Sequence, residues 1–177
     1  MKRTLVLMRH AKSDWSNPSL GDSERTLNRR GRNDAPLVGN FMYDLIGTPD
    51  QIICSDAVRA RETAKLVAES LKYKQNIIIE PQLYDSYPSV YLKVISNVTD
   101  DVKTLLIVGH NPIIEQLISI LSANRPKDMS DHMSTAGVVC FTTEDYSWSD
   151  IEPGVWDMKW LATPKLIKNK QAKKRGL

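Results

Sequence analysis

Two short apolar runs constrain this chain more than any other feature. Arg3-Thr4-Leu5-Val6-Leu7-Met8-Arg9-His10 comes near its start, and Thr104-Leu105-Leu106-Ile107-Val108-Gly109-His110 repeats the design far downstream. Runs of this length without polar alternation read as strands buried on both faces, as in a parallel sheet held between two helix layers. Each run halts at a histidine, so each delivers a polar group at a strand's C-terminal end, where open α/β sheets bind ligands.

The chain between and after these runs supplies the remaining elements. Ala35, Val38, Met42 and Leu45 recur at helical spacing and predict a helix over 34–45, with Pro36 in its first turn and Gly47-Thr48-Pro49 as its stop. Gln51–Cys54 reads as a strand, and Asp56 as the N-cap of a helix lined by Ala60, Ala64, Val67 and Leu71. Three consecutive isoleucines within Asn76–Glu80 suit a strand, and Tyr91, Val94, Ile95 and Val98 share a helix face. Asn111-Pro112 predicts an N-cap with proline at the first helical position, ahead of the stripe Ile114, Leu117, Ile118 and Leu121. Val138–Phe141 and Val155–Leu161 read as strands, and the alternation of Trp156, Met158 and Trp160 suits a half-buried antiparallel edge. Strands alternating with helices predict an α/β fold, a three-layer α/β/α sandwich with a mostly parallel central sheet.

Composition excludes several classes. At 177 residues, 41% hydrophobic and 25% charged, the expectation is one domain over 1–164 with enough core to fold without staples. The two cysteines, Cys54 and Cys140, lack a partner motif, which argues against a disulfide framework or a cysteine-built zinc site and for a cytoplasmic protein. Arg9 cuts the first apolar run too early for a signal peptide, and no long apolar segment follows, so no membrane partner is expected. The net charge of +3 comes from residues 165–177, which hold six Lys/Arg and no acid, while the rest carries 18 basic against 21 acidic residues. That basic tail reads as a solvated, frayed terminus; contact with nucleic acid is the lesser alternative.

The residues at the two strand ends suit a phosphoryl guest. Phosphoryl transfer spreads negative charge over equatorial oxygens, so catalysis is chiefly positioning and stabilisation by fixed cations and donors. Arg9 offers a planar fork, His10 a ring nitrogen that can attack phosphorus, and His110 a place just before a helix N-terminus. Arg59, in the first turn of its helix, projects back toward the same rim, whereas Arg61 lies about 200° further round an ideal helix and faces elsewhere. Metal binding is the rival use of two histidines, but no H-x-x-x-H spacing or carboxylate cluster accompanies them, and no cofactor is expected.

At these residues the chain resembles the histidine phosphatase superfamily, the phosphoglycerate mutase-like group, and within it the small phosphohistidine phosphatases of the SixA type. The family's Arg-His-Gly hallmark stands as Arg9-His10-Ala11, followed by Lys12-Ser13-Asp14-Trp15-Ser16-Asn17-Pro18. Arg25-Thr26-Leu27-Asn28-Arg29-Arg30-Gly31 is similar to its Arg-Pro-Leu-x-x-x-Gly. Cys54-Ser55-Asp56-Ala57-Val58-Arg59-Ala60 is similar to its Ser-Pro-x-x-Arg-Ala, and Gly109-His110-Asn111-Pro112 to its second-histidine motif. The resemblance implies that His10 is transiently phosphorylated, that Arg9, Arg59 and His110 hold the phosphoryl group, and that Arg25 lends a third guanidinium. Ser13 and Asn17 either donate to phosphate oxygens or shape the turn.

Two departures stand out. Ala11 replaces the usual glycine, which implies that this position avoids a positive φ, and Asp56 replaces proline. The carboxylate that protonates the leaving group in family esterases has only Asp85 as a counterpart here. An imidazole leaving group needs less protonation than an alkoxide, so the favoured substrate is phosphohistidine on a protein. A phosphomonoesterase for a small phosphorylated metabolite and a non-catalytic phosphoprotein-binding module are the alternatives. His132, amid Asp128–Ser134, reads as a solvent-side loop residue, Trp156 and Trp160 as packing, and Cys54 as a buried small hydrophobe.

Overall fold

The computed structural model describes residues 2–124, 132–144 and 146–174. In chain order they form β1 (Arg3–Arg9), α1 (Arg29–Ile46), β2 (Gln51–Cys54), α2 (Val58–Ser70), β3 (Ile78–Ile79), α3 (Pro88–Ser96), β4 (Thr104–Gly109), α4 (Ile113–Leu121), β5 (Val138–Thr143), β6 (Asp157–Ala162) and α5 (Pro164–Lys174). The sheet order is β3-β2-β4-β1-β5-β6, with β3, β2, β4 and β1 mutually parallel and β5 antiparallel to both its neighbours. This is the expected α/β sandwich with a mixed, mostly parallel sheet.

Alternation along β1 explains the layers. Leu5, Val6, Leu7 and Met8 are all fully buried, and burying each contributes roughly 1.5–3 kcal/mol. Val6 and Met8 pack with Val38 and Met42 of α1, Ala60 and Ala64 of α2 and Ile167 of α5. Leu5 and Leu7 pack on the other face with Tyr91 and Ile95 of α3 and Ile114, Leu117 and Ile118 of α4. Trp148 and Trp156 stack in that second layer with ring centroids 5.7 Å apart, and Trp160 meets Phe41 edge-on at 5.5 Å.

Register decides where the site falls. In the β1–β4 pair Arg9 lies opposite Gly109, so His10 and His110 leave adjacent strands at one level. The His10 amide also donates to the Gly109 carbonyl at 2.9 Å. A side chain at Gly109 would run into the Tyr91 hydroxyl, so only glycine lets this strand end sit against α3.

Several boundaries differ from the sequence reading. α1 starts at Arg29, five residues before the predicted start at 34, because Asn28 caps it by accepting from the Gly31 amide at 2.9 Å. Pro36 therefore lies in the helix interior, not in its first turn. A Cβ at position 31 would collide with the Lys12 carbonyl, so glycine allows α1 to begin against the segment that follows His10. The N-cap of α2 is Ala57, not Asp56, and α4 starts at Ile113 after Pro112, with Asn111 turned to other partners. β3 spans two residues, and both are half-exposed.

The tail also departs from expectation. Residues 164–174 form a helix, docked by buried Ile167 and by a 2.7 Å contact from Lys168 to Asp34, a carboxylate 1% exposed. The reading of a frayed terminus missed these two anchors; residues 175–177 lie outside the described part. Among the described residues no helix is long and apolar enough to cross a membrane.

Candidate active site

The two strand ends open into a cavity of about 440 Å³ whose wall includes His10, Asp22, Arg59, Tyr84, Asp85 and His110. The histidine rings lie 5.1 Å apart between centroids and are tilted by 53°. His10 Nδ1 contacts the Ala11 carbonyl at 2.7 Å; a carbonyl only accepts, so this nitrogen carries the proton. The lone pair is left on Nε2, which accepts from Arg59 Nε at 3.2 Å. Burial pushes the His10 pKa down to about 3, helped by the charges of His110, Arg59 and Arg9, so the ring is neutral at physiological pH. Burial likewise takes His110 down to about 4, with Arg59 and Arg9 adding to it.

Two guanidinium charges, those of Arg9 and Arg59, lie near this neutral pair. Arg9 is held by its Nη1 donating to the Met133 carbonyl at 2.7 Å, while its Nε is buried without a partner. Burial lowers its pKa against the opposing charge of Glu115. Arg59 is fixed at the start of α2, where its carbonyl accepts from Thr63 Oγ1 at 2.6 Å and Thr63 in turn accepts from the Ala11 amide at 2.9 Å. One hydroxyl thus ties the second arginine to the backbone beside His10. Ala11 is absent from the residues with positive φ, as the replacement of glycine implies.

Asp22 is the residue the sequence reading missed. Its carboxylate accepts from Arg25, from Arg59 Nη2 at 2.8 Å and from the Tyr84 hydroxyl at 2.8 Å, and its carbonyl accepts from Arg59 Nη1. Burial opposes ionisation, but these hydrogen bonds and the two guanidinium charges outweigh it, so Asp22 titrates below the usual carboxylate range. Arg25 thus reaches the site through Asp22, and its guanidinium lies over the Trp15 ring at 3.4 Å. The one available signal was an acid three residues before Arg25 in a long polar loop.

Asp85 lines the cavity, with φ +44°, a strained value for a non-glycine residue. Ser13 is buried and bridges to Leu27, and the Asn17 side-chain oxygen is taken by Ser19, at 3.1 Å from its amide and 2.6 Å from its hydroxyl; neither lines the cavity. Arg61 is exposed, as the helix angle predicts. Cys54 is fully buried with its thiol pushed up to about 12, too weakly acidic to act as a nucleophile. His132 is exposed, with Nδ1 3.7 Å from Glu115; Asp128, in the same loop, lies outside the described residues. Among the described residues no three His, Cys, Asp or Glu side chains gather as a metal ion would require.

Comparison with known proteins places the chain in a family. The pattern of the histidine phosphatase superfamily (branch 1) matches residues 5–88, which contain His10, Asp22 and Arg59. A protein of Mycobacterium tuberculosis (strain ATCC 25618 / H37Rv), itself uncharacterised, is 31% identical over 83% of this chain and 93% of its own length. The chain belongs to the histidine phosphatase superfamily. Within it, phosphohistidine phosphatase SixA of Escherichia coli (strain K12) is 22% identical over 95% of this chain and 98% of that protein. A solved structure of the protein histidine phosphatase SixA with tungstate shares the fold, with a TM-score of 0.75 and 19% identity over 92% of this chain and 97% of that one. Family and fold together support a phosphatase that acts on phosphorylated substrates.

Proposed function

We propose that this protein dephosphorylates phosphohistidine on a protein through a covalent intermediate on His10, without metal or cofactor, in the cytoplasm. The observation that carries the chemistry is the state of His10. Its Nδ1 proton is held by Ala11, so Nε2 presents an unprotonated lone pair inside the cavity. A phosphoryl group arriving there takes over the Arg59 Nε donor and meets Arg9 and His110, each with a buried, unpartnered nitrogen to offer. His10 Nε2 bonds to phosphorus while the P–N bond to the substrate breaks. Water then attacks phosphorus, and the His10 P–N bond breaks to release inorganic phosphate.

The leaving group argues for phosphohistidine over an ester. Asp22, anchored by two arginines and a tyrosine, is held ionised and cannot donate a proton at neutral pH. A phosphoimidazole protonated on its distal nitrogen leaves as neutral imidazole and brings its own proton, whereas an alkoxide needs one from the enzyme. Asp85 is the remaining acid in the cavity wall. Two unpaired, buried cysteines suit the reducing cytoplasm.

Comparing a phosphohistidine peptide with an alkyl phosphate, before and after Asp85→Asn, tests the reading. Faster turnover of the peptide, little affected by the substitution, is expected. Preference for the ester, lost in the variant, would point instead to a phosphomonoesterase using Asp85.

A further inference from the structure

We infer that Ser55 is a positioning residue that fixes the proton of neutral His110 on Nδ1, making that ring a hydrogen-bond donor to the phosphoryl group. The inference rests on the phosphatase reading above for its consequence, but its physical content lies in one hydrogen-bond inventory. Ser55 follows β2, is wholly buried, and its amide is tied to the Val108 carbonyl of β4 at 3.1 Å. Its hydroxyl oxygen lies 2.8 Å from His110 Nε2 and accepts from the Ala57 amide at 3.3 Å. His110 Nδ1 is buried and has no protein partner.

Two proton placements are open to the neutral ring, and they are not equal. With the proton on Nε2, His110 donates to Ser55, and the hydroxyl oxygen then accepts twice. Its own proton is left buried without an acceptor, a loss of a kind folded proteins avoid. The bare Nδ1 lone pair would also meet a phosphoryl oxygen, lone pair against lone pair. With the proton on Nδ1, Ser55 accepts from Ala57 and donates to Nε2, and each group linking Ala57, Ser55 and His110 is satisfied except the Nδ1–H. That donor is the one an anion would complete.

The ring's backbone is fixed separately. The His110 amide donates to the Tyr91 hydroxyl at 3.3 Å, and that hydroxyl donates to the Leu83 carbonyl at 2.9 Å. Tyr91 therefore places the residue, while Ser55 decides which nitrogen carries hydrogen. A hydroxyl suits the task because it can donate to the neutral ring and turn to accept if the ring gains a proton beside a bound dianion.

Long-range ¹H–¹⁵N spectra of the ring nitrogens of the full-length wild-type protein at neutral pH test this directly. We expect His110 protonated on Nδ1; a spectrum showing the proton on Nε2, or on both nitrogens, overturns the inference. In Ser55→Ala the proton should shift largely to Nε2, and kcat/KM for a small phosphoramidate should fall about 10- to 100-fold, since a wrong histidine tautomer is costly in catalysis. Ser55→Thr, which keeps the hydroxyl, should restore the Nδ1 signal. Activity lost in Ser55→Ala with the tautomer unchanged would mean that Ser55 only packs, and would also overturn it. If the alanine variant fails to fold, the wild-type spectrum decides. A wild-type protein that turns over no phosphorylated compound would defeat the phosphatase reading while leaving the tautomer measurable.

Discussion

The ends of β1 and β4 look alike in sequence and differ in the hydrogen bonds that hold their histidines. Both are apolar runs closed by a histidine, both histidines are 8% exposed, and burial lowers both pKa values. Yet His10 spends its Nδ1 proton on its neighbour's carbonyl, while His110 turns Nε2 to a serine from another strand end. In the arrangement we propose, one ring keeps an unprotonated Nε2 that accepts from Arg59 and the other carries its N–H on the unpartnered Nδ1. On the proposed mechanism, identical side chains serve as nucleophile and donor through single hydrogen bonds, to Ala11 and to Ser55.

The largest expected effect separates the two ends. His10→Ala should abolish turnover, a loss of at least about 10⁴-fold as for an essential nucleophile, whereas His110→Ala should cost roughly 10²–10³ as for one lost oxyanion donor. Steady-state kinetics on a phosphoramidate measure both, and equal losses would erase the distinction. Arg59→Lys comes next: it keeps the charge but loses the fork that reaches His10 and Asp22 together, and kcat should drop about 10²-fold.

A smaller effect probes the flank of His10. Glu115 accepts from the Met133 amide at 2.7 Å and from Asn111 at 2.7 Å, and so steadies the carbonyl that holds Arg9. Glu115→Gln should raise KM about tenfold with little change in kcat, as expected when binding is lost equally from ground and transition states.

A last effect is on stability rather than on turnover. Both histidines have folded pKa values below the unfolded 6.5, so the unfolded chain binds more protons between these values. Their contribution to stability is complete above about pH 6.5 and is lost as pH falls toward 4 and then 3. Urea melts from pH 7 to 4 should show stability declining, and His10→Ala/His110→Ala should flatten that slope; an unchanged slope would show that the rings are not buried neutral.

What could be read in advance follows from where the signal lies. The buried strands and their parallel pairing announce themselves because burial on two faces demands unbroken apolar runs, and two of those runs end at His10 and His110, which line the cavity together with Arg59. Asp22 leaves no such trace, since it sits in a polar loop and gains meaning only from Arg25, Arg59 and Tyr84, which the fold brings to it. Ser55 was in plain view inside a motif, but its partner comes from β4. The helix at 164–174 was hidden for a related reason: its basic composition resembles a loose tail, and the buried Asp34 that receives Lys168 lies far back in α1. Caps and starts failed where a polar residue had better employment nearby, as with Asn111, whose amide goes to Glu115 and the Met133 carbonyl.

The most direct test is to trap the phosphorylated enzyme. After mixing with a phosphohistidine peptide and quenching in alkali, ³¹P NMR and peptide mapping should locate the phosphoryl group on Nε2 of His10. Label on Nδ1, on His110, or nowhere while phosphate is still released would contradict the account.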